Sequence, residues 1–310
     1  MSPLRDALSD YLAVRRALGF KLASAEKLLE QFLAYLQEQG QETITTEHAL
    51  RWATLPAGGS DAWYALRLGA VRPFASYLHN IDSAHEVPAA GLLPNPPHRA
   101  TPYLYTDEQI VALMETAGAL TPAHRAATYR TLIGLLAATG MRIGEAIGLD
   151  REDFDTAAGT LLLRGTKFGK TRQLPLQEST TRALERYLRR ADRPRPASGT
   201  PAVFVSIRGT RLVAHTVRLA FQGLVSRAGI EPRSGTCRPR LHDVRHTYAV
   251  NTILDAYRAG TDAGPRLALL STYLGHVDPA NTYWYLQAAP ELMALAGKRL
   301  EQHLQQGAQR

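Results

Sequence analysis

Four short segments, all beyond residue 137, carry side chains that can bind an anion or transfer a proton. In the first, Arg142 follows a Thr-Gly turn and precedes Glu145 by three residues, which places both side chains on one face of a helix. A surface ion pair would account for this spacing. So would an arginine that Glu145 orients toward a bound anion, and the two residues alone leave both interpretations open.

The second segment, residues 164–176, has glycines and a Lys-Thr pair that are reminiscent of a phosphate-binding P-loop. A P-loop has four residues between its glycines and a helix after its lysine, whereas three residues separate the glycines here and a strand pattern follows. Nucleotide binding is therefore disfavoured. A hairpin tip with Lys167, Lys170 and Arg172 fits a solvated turn, and it also fits insertion into a nucleic-acid groove, where a lysine can donate a proton.

The third segment contains His242 and His246, which have the four-residue spacing of the histidine ligands in zinc proteases. Asp243 replaces the glutamate of that motif, and Arg245 would bring a cation next to the metal, so a metal site is disfavoured. The better pair is His242 with Arg245, three residues apart on one helical face, which joins a proton-transfer group to a phosphate-binding group. His246 is then interpreted as a packed structural histidine.

The fourth segment combines His276 with a group of tyrosines, of which Tyr273 precedes it and Tyr283 and Tyr285 follow it. Such tyrosines are usually amphipathic packing residues, so each of them is a core candidate by default. A tyrosine also acts as a nucleophile when a nearby base accepts its proton. Three segments that can bind an anion or transfer a proton precede this group in the sequence. Their presence favours a catalytic role for one of the tyrosines.

The charge of the chain indicates what the anion is. A net charge of +8 arises from 36 basic and 28 acidic residues, and 31 of the basic residues are arginine. The planar arginine side chain binds phosphate through two hydrogen bonds, which favours a phosphate-rich partner, although the base composition of the coding DNA would produce the same bias. Residues 1–98 carry a net charge of −2 and residues 99–310 carry +10. The positive charge therefore belongs to the part with the four segments.

Composition excludes several classes of protein. The hydrophobic fraction of 45% is that of a globular chain with a core. No stretch approaches the roughly 18 apolar residues of a membrane span, and the N-terminus lacks the apolar run of a signal peptide. The single cysteine, Cys237, excludes an intrachain disulfide and a cysteine-cluster metal site. We therefore expect a cytoplasmic protein that is not associated with a membrane.

The elements that position these segments fall into two predicted domains. Five prolines between residues 88 and 103 predict an extended linker. Residues 1–87 before it predict an all-helical domain, with Gly19 and Gly40 as helix stops and a fourth helix that Pro73 interrupts and kinks. The predicted helices of this domain are Leu8–Leu18, Ala25–Leu36, Thr46–Thr54 and Asp61–Leu78.

Residues 104–310 predict a mixed α/β domain, so the fold class is mainly α with a small β-sheet or hairpin. A capping box at Thr106 to Gln109 opens its first helix. A hairpin is predicted from Thr160–Leu163 and Gln173–Leu176, with a further strand at Ala202–Ser206. Helical spacing also recurs at His124–Ala138, Ser179–Arg190, Ala214–Ala228 and His242–Tyr257.

Taken together, the four segments resemble the motifs of the tyrosine recombinases, the superfamily of phage integrases and of the Xer and Cre recombinases. The pattern of that family is an arginine, a hairpin lysine, H-x-x-R, a histidine or tryptophan, and a nucleophilic tyrosine. Two departures are a second tyrosine, Tyr283, close to the nucleophile, and a hairpin tip that reads Thr-Lys-Phe-Gly where many relatives have Gly-Lys-Gly. The residues that match the pattern are Arg142, Lys167 with Lys170 as a competitor, His242, Arg245, His276 and Tyr285, with Glu145 in support.

This resemblance implies a mechanism without a metal or a nucleotide cofactor. Tyr285 would attack a DNA phosphodiester and form a covalent 3′-phosphotyrosine. The two arginines and two histidines would stabilise the charge on the phosphate oxygens. His242 would accept the tyrosine proton, and Lys167 would protonate the departing 5′-oxygen.

The resemblance also implies partners. These are double-stranded DNA with a specific recombination site and a homotetramer tied by a C-terminal helix, for which residues 290–305 are the candidate, with partner recombinases as a further option. The N-terminal domain resembles a core-binding domain that clamps DNA, which requires its basic residues to share one face. The candidate DNA contacts are Lys170, Arg172, Arg15, Arg16, Lys21, Arg67 and Arg72.

Four roles follow from the resemblance. The first is integration, excision or transposition of a mobile element, and the second is Xer-like resolution of chromosome or plasmid dimers. A type IB topoisomerase-like relaxase would share the chemistry. A DNA-binding accessory protein would keep the fold without cutting.

The surplus of positive charge predicts that DNA binding depends steeply on salt. A protein that neutralises about six phosphates loses roughly 10³-fold in affinity between 50 and 200 mM salt, because bound counterions are released. We expect the affinity of the protein for a duplex of unrelated sequence to fall by a factor of that order, because of the basic residues within 99–310. Fluorescence anisotropy measures this affinity. A nearly flat dependence would show that the basic residues do not follow the DNA backbone.

Overall fold

The computed structural model describes residues 3–94, 100–164, 171–194, 199–259 and 263–275, together with residues 294, 297 and 301. Contacts divide the chain into two compact units, Met1–Arg99 and Ala100–Arg310. Helices dominate the described residues and the strands form a small antiparallel sheet, which confirms the predicted fold class. None of the described helices is long and apolar enough to cross a bilayer.

The first unit contains the four predicted helices. Aromatic side chains fill its core: the rings of Phe32 and Trp52 lie 5.1 Å apart, and those of Tyr11 and Phe74 lie 5.4 Å apart. Such tilted contacts suit the charge distribution of aromatic rings and add to the gain from burying them. The helices are α1 (Pro3–Ala17), α2 (Ala23–Glu38), α3 (Thr46–Thr54) and α4 (Asp61–His79).

The predicted helix ends are confirmed, whereas the predicted interruption is wrong. Gly19 and Gly40 follow α1 and α2 with φ angles of 87° and 65°, the left-handed conformation that glycine adopts without strain. Helix α4, in contrast, continues through Pro73. Val71 and Phe74 on either side of the proline are fully buried, so packing offsets the missing backbone hydrogen bond.

Arg67 on α4 is a buried residue of the first unit. Its guanidinium carbon lies 3.8 Å from the centroid of the Trp52 ring, and its Nη2 donates a 2.8 Å hydrogen bond to the Trp52 carbonyl. Burial lowers the pKa of Arg67. An enclosed and bonded guanidinium cannot reach a phosphate, so the prediction that Arg67 contacts DNA is wrong.

The second unit is built around α6, which is buried on most of its circumference. It packs against α5, α8 and α10, and such surroundings explain why apolar residues occupy all its sides. The helices of this unit are α5 (Asp107–Gly118), α6 (Ala123–Thr139), α7 (Ile143–Gly148), α8 (Glu178–Leu188), α9 (Ala214–Arg227), α10 (Asp243–Arg258) and α11 (Ala263–Leu274).

The small sheet has the strand order β1 (Phe154–Asp155), β2 (Thr160–Leu163) and β3 (Arg172–Pro175), and both pairs are antiparallel. The predicted hairpin is confirmed, although its second strand begins one residue earlier than expected. The strand predicted at Ala202–Ser206 is wrong. Buried residues from Ala202 to Val205 fill the core and form isolated bridges, because a short apolar run fits a buried loop as well as a strand.

The predicted linker, residues 88–103, packs against one unit at each of its described ends. Near its start, Arg72 donates hydrogen bonds of 2.8 and 3.0 Å to the carbonyls of Pro88 and Ala89. Near its end, Tyr103 is buried in the core of the second unit. The Thr106 capping box follows and opens α5 as predicted.

Replacing Arg67 with alanine should destabilise the first unit. We expect a loss of about 2 kcal/mol, the contribution of a desolvated cation–π pair, with a further cost for the unpaired Trp52 carbonyl. Urea unfolding followed by tryptophan fluorescence measures this loss. The matched control is Arg16→Ala, which removes an exposed ion pair with Glu26 and should cost less than about 1 kcal/mol. Equal unfolding midpoints for the two variants would contradict the structural role of Arg67.

Candidate active site

The turn between α6 and α7 places Arg142. Gly140 ends α6 with a φ of 59°, and a Cβ at this position would collide with the Tyr248 ring. Both the backbone conformation and the available space therefore require glycine. Arg142 immediately precedes α7, as the Thr-Gly motif predicts.

Glu145 holds Arg142 through both of its carboxylate oxygens. Oε1 accepts a 2.9 Å hydrogen bond from Arg142 Nη1, and Oε2 accepts one of 2.9 Å from the Arg142 backbone N–H. The Glu145 side chain is 8% exposed. Burial alone would raise its pKa, but the hydrogen bonds and charges of Arg142 and Arg172 together lower it. The interpretation as a surface ion pair is therefore wrong, because the carboxylate is buried and ionised.

Arg245 on α10 lies beside the same turn. The residue is 2% exposed, and its Nη1 donates a 2.8 Å hydrogen bond to the Gly140 carbonyl. Its Nη2 donates a 2.7 Å hydrogen bond to the Leu274 carbonyl at the end of α11. The turn after α6 and the end of α11 are thereby fixed to the start of α10.

Both arginines meet at the end of α11. Arg142 donates two longer hydrogen bonds of 3.4 Å, from Nη1 to the Leu274 carbonyl and from Nη2 to the Gly275 carbonyl. The Leu274 carbonyl thus accepts from Arg142 and Arg245. His276 is the next residue in the sequence after Gly275.

His242 immediately precedes α10, and its ring remains accessible to solvent. Desolvation by the surrounding protein lowers the pKa of His242 to about 4, and the positive charges of Arg245 and Arg142 act in the same direction. His242 is therefore exposed in a strongly cationic setting. His242 is neutral at pH 7 in the free protein and can accept a proton.

Asp243 fixes the backbone turn that precedes α10. Its carboxylate is 1% exposed and accepts hydrogen bonds of 3.1 Å from both the backbone N–H and the Nε of Arg240. The Nε2 of His246 lies 3.8 Å from the same carboxylate. His246 is buried, which confirms the prediction of a packed histidine. Within the described ranges, no group of three or more potential metal ligands occurs.

Arg172 does not lie where a DNA contact was predicted. It is paired with Glu145, and its side chain is 15% exposed. The sequence held a signal for this position, because Arg172 and the buried Leu174 are two residues apart on one strand and share a face. That alternation points Arg172 toward the protein interior.

Most of the basic residues proposed as DNA contacts in the first unit make contacts within that unit. Arg67 is buried, and Arg72 is bonded to the carbonyls of residues 88 and 89. Arg15 lies over the Phe20 ring at 4.1 Å, and Arg16 pairs with Glu26. The remaining candidate, Lys21, is exposed and follows α1 closely. The DNA contacts of Arg15, Arg16, Lys21 and Arg72 stay predictions.

Several predicted functional residues lie outside the described residues. Both hairpin lysines belong to the loop between Leu163 and Arg172, whose flanking residues pair across the hairpin. Of residues 290–305, only 294, 297 and 301 are described, and these are helical. The roles of Lys167, Lys170, His276, Tyr283 and Tyr285 stay predictions.

Comparison with known proteins assigns the family. Residues 104–291 match the phage integrase family. A protein of Sinorhizobium fredii that is named as an integrase or recombinase, y4rB, is 42% identical over 307 residues, which cover 97% of this chain and 98% of that protein. Tyrosine recombinase XerD of Mycobacterium tuberculosis is 30% identical over 294 residues, 89% of this chain and 90% of XerD.

A similar fold occurs in a solved structure. The Tn1549 transposon integrase aligns over 96% of this chain and all of that chain, with a TM-score of 0.62 and 17% identity. The family match covers more than half of the sequence, and the full-length relatives agree with it. The chain therefore belongs to the phage integrase family and is an enzyme of the tyrosine recombinase class.

The cationic setting of His242 predicts an unusual titration. We expect its ring to titrate near pH 4, well below the ordinary value of 6.5, as measured by NMR of the histidine rings and assigned with His242→Asn. Because the unfolded chain binds this proton first, the contribution of His242 to stability is intact above pH 6.5 and falls as the pH drops toward 4. The His242→Asn variant should lose less stability over that interval. A midpoint near 6.5 would contradict the described site.

Proposed function

We propose that this chain is a site-specific DNA recombinase that cuts and rejoins strands through a covalent 3′-phosphotyrosine on Tyr285. The observation that carries the proposal is the meeting of Arg142 and Arg245 at the Leu274 carbonyl, two residues before His276 in the sequence. This arrangement concentrates positive charge where the family motif requires a scissile phosphate.

The first step forms one bond and breaks another at phosphorus. The Tyr285 oxygen bonds to phosphorus while the bond from phosphorus to the 5′-oxygen breaks. Negative charge that builds up on the nonbridging oxygens is stabilised by Arg142 and Arg245, with His242 and His276 as hydrogen-bond donors. No water or nucleotide is consumed, since the phosphotyrosine conserves the energy of the phosphodiester.

Two proton transfers accompany this step. A tyrosine with its ordinary pKa of about 10 is protonated at neutral pH and needs a base. His242 suits this role, because its ring is neutral in the free protein and the negative charge of a bound phosphate would raise its pKa and so strengthen it as a base. Lys167 on the hairpin donates a proton to the departing 5′-oxygen. Attack by the 5′-hydroxyl of another strand then reverses both transfers and rejoins the DNA.

Exchange of strands between two DNA sites requires several protomers. We propose a tetramer on double-stranded DNA that is tied by residues 290–305, with partner recombinases as an option. DNA as substrate is supported by the solved Tn1549 integrase, which is in complex with a circular intermediate DNA. Since the substrate is DNA, the protein would act at the bacterial nucleoid.

We favour the integration, excision or transposition of a mobile element as the biological role. The 42% identity with the Sinorhizobium integrase or recombinase supports this choice. Resolution of chromosome or plasmid dimers is the second candidate, and the 30% identity with XerD over most of both chains supports it. The location of the DNA site distinguishes the two roles.

One experiment tests both the chemistry and the role. Genomic fragments are incubated with the protein, covalent adducts are isolated under denaturing conditions, and the attached DNA is sequenced. A nicked suicide duplex with the recovered site then allows cleavage to be measured quantitatively. Recovered sites at the ends of an element support the mobile-element role, whereas one unique chromosomal site supports dimer resolution.

The suicide duplex should give an adduct with the natural chain and with Tyr283→Phe, but not with Tyr285→Phe. Arg142→Ala should slow adduct formation by about 10² to 10³-fold, the usual loss when one donor to a developing negative charge is removed. An adduct with Tyr285→Phe would disprove the choice of nucleophile. DNA binding without any adduct would indicate an accessory protein, and relaxation of supercoils at random sites would indicate a topoisomerase-like enzyme.

A further inference from the structure

Arg172 is the first residue of β3 and makes a two-pronged contact with Glu145. Its Nη1 lies 3.2 Å from Glu145 Oε1, and its Nη2 lies 3.0 Å from Oε2. Glu145 Oε1 also accepts from the Arg142 side chain. One buried carboxylate therefore holds two guanidinium groups from elements far apart in the sequence.

Arg172 also packs against the backbone at the end of α11. Gly275 has a φ of 68°, and a Cβ there would collide with the Arg172 guanidinium. The Gly275 carbonyl accepts a hydrogen bond from Arg142. Arg172 therefore touches two groups that bind Arg142, the Glu145 carboxylate and the Gly275 backbone, without bonding to Arg142 itself.

The charge balance explains what Arg172 adds. Two arginines and one carboxylate leave a net charge of +1 in a poorly solvated place, since the Glu145 side chain is 8% exposed and that of Arg172 is 15% exposed. Without Arg172, both oxygens of Glu145 would be available to Arg142 alone. A bidentate pair would then form, turning the Arg142 guanidinium toward Glu145 and offsetting its charge.

We propose that Arg172 is a positioning residue that, through Glu145, orients Arg142 and keeps its positive charge available to the scissile phosphate. This inference rests on the proposed function, because it gives Arg142 the role of binding the phosphate. It differs from a DNA contact in what it changes. A positioning residue alters the rate of cleavage, whereas a phosphate contact alters affinity and its dependence on salt.

The test compares Arg172→Gln and Arg172→Lys in single-turnover cleavage of the suicide duplex. We expect Arg172→Gln to cleave about 10- to 100-fold more slowly at saturating DNA, because a small displacement of a catalytic group costs that much. DNA affinity and its salt dependence should change by less than about twofold. Arg172→Lys keeps the charge without the planar fork and should recover part of the rate.

Two controls sharpen this comparison. Arg164→Gln removes an arginine at the opposite flank of the same hairpin loop, where it pairs with Glu152 and Asp153, and should cleave at nearly the natural rate. In a Glu145→Gln background, Arg172→Gln should add little further loss, since Arg172 acts through that carboxylate. Additive losses, or a loss confined to affinity, would overturn the proposal.

A readout without cleavage separates this inference from the proposed function. Carbon-13 NMR of the carboxylates should show the pKa of Glu145 rising in Arg172→Gln and rising less in Arg172→Lys, because one of the cations that lower it is removed. If the natural chain forms no adduct while this shift is seen, the proposed function fails and the Glu145 contact stands. If the natural chain cleaves and Arg172→Gln cleaves equally fast, the inference fails alone.

Discussion

The site depends on the hydrogen bonds and ion pairs of one buried carboxylate, that of Glu145. Taking a carboxylate out of water is costly unless charges and hydrogen bonds compensate for the loss of solvation. Here the backbone N–H of Arg142 and the guanidinium groups of Arg142 and Arg172 supply that compensation. The start of α7 is thereby fixed to β3, so Arg142 before the helix and Arg172 on the strand have a defined relation. Gly275 lets Arg172 approach closely enough to complete the arrangement.

Two helix ends supply the other half of the arrangement. The last carbonyls of a helix lack partners within it and carry a partial negative charge, which favours cations at that end. The Gly140 carbonyl after α6 and the Leu274 carbonyl at the end of α11 both accept from Arg245, and the second also accepts from Arg142. Backbone groups that would otherwise need water therefore hold the two arginines in place. The same contacts lock α10 against α6 and α11, so the positions of the charges and the packing of the helices are set together.

Desolvation and nearby arginines together keep His242 neutral. Desolvation and positive charge both disfavour an imidazolium, so the ring is neutral in the free protein. His242 lies directly before the helix that carries Arg245, so the charge of that arginine acts on it at short range. Buried Asp243 holds that turn through Arg240, and so the position of the ring does not depend on its own charge.

The sequence by itself determined the helices, the capping box at Thr106, the hairpin and the order of the motifs, because these depend on residues close together in the chain. Helical spacing and a Thr-Gly turn are local, and so were predicted well. Only the tertiary structure decided that Arg172 faces Glu145, 27 residues away, and that Arg67 stacks on Trp52 within a core. An arginine has the same local signature whether it meets DNA, a carboxylate or an aromatic ring. These three cases differ in the partner that folding brings to the arginine. The apolar run from Ala202 shows the same limit of local prediction, since its conformation is fixed by burial and not by strand pairing.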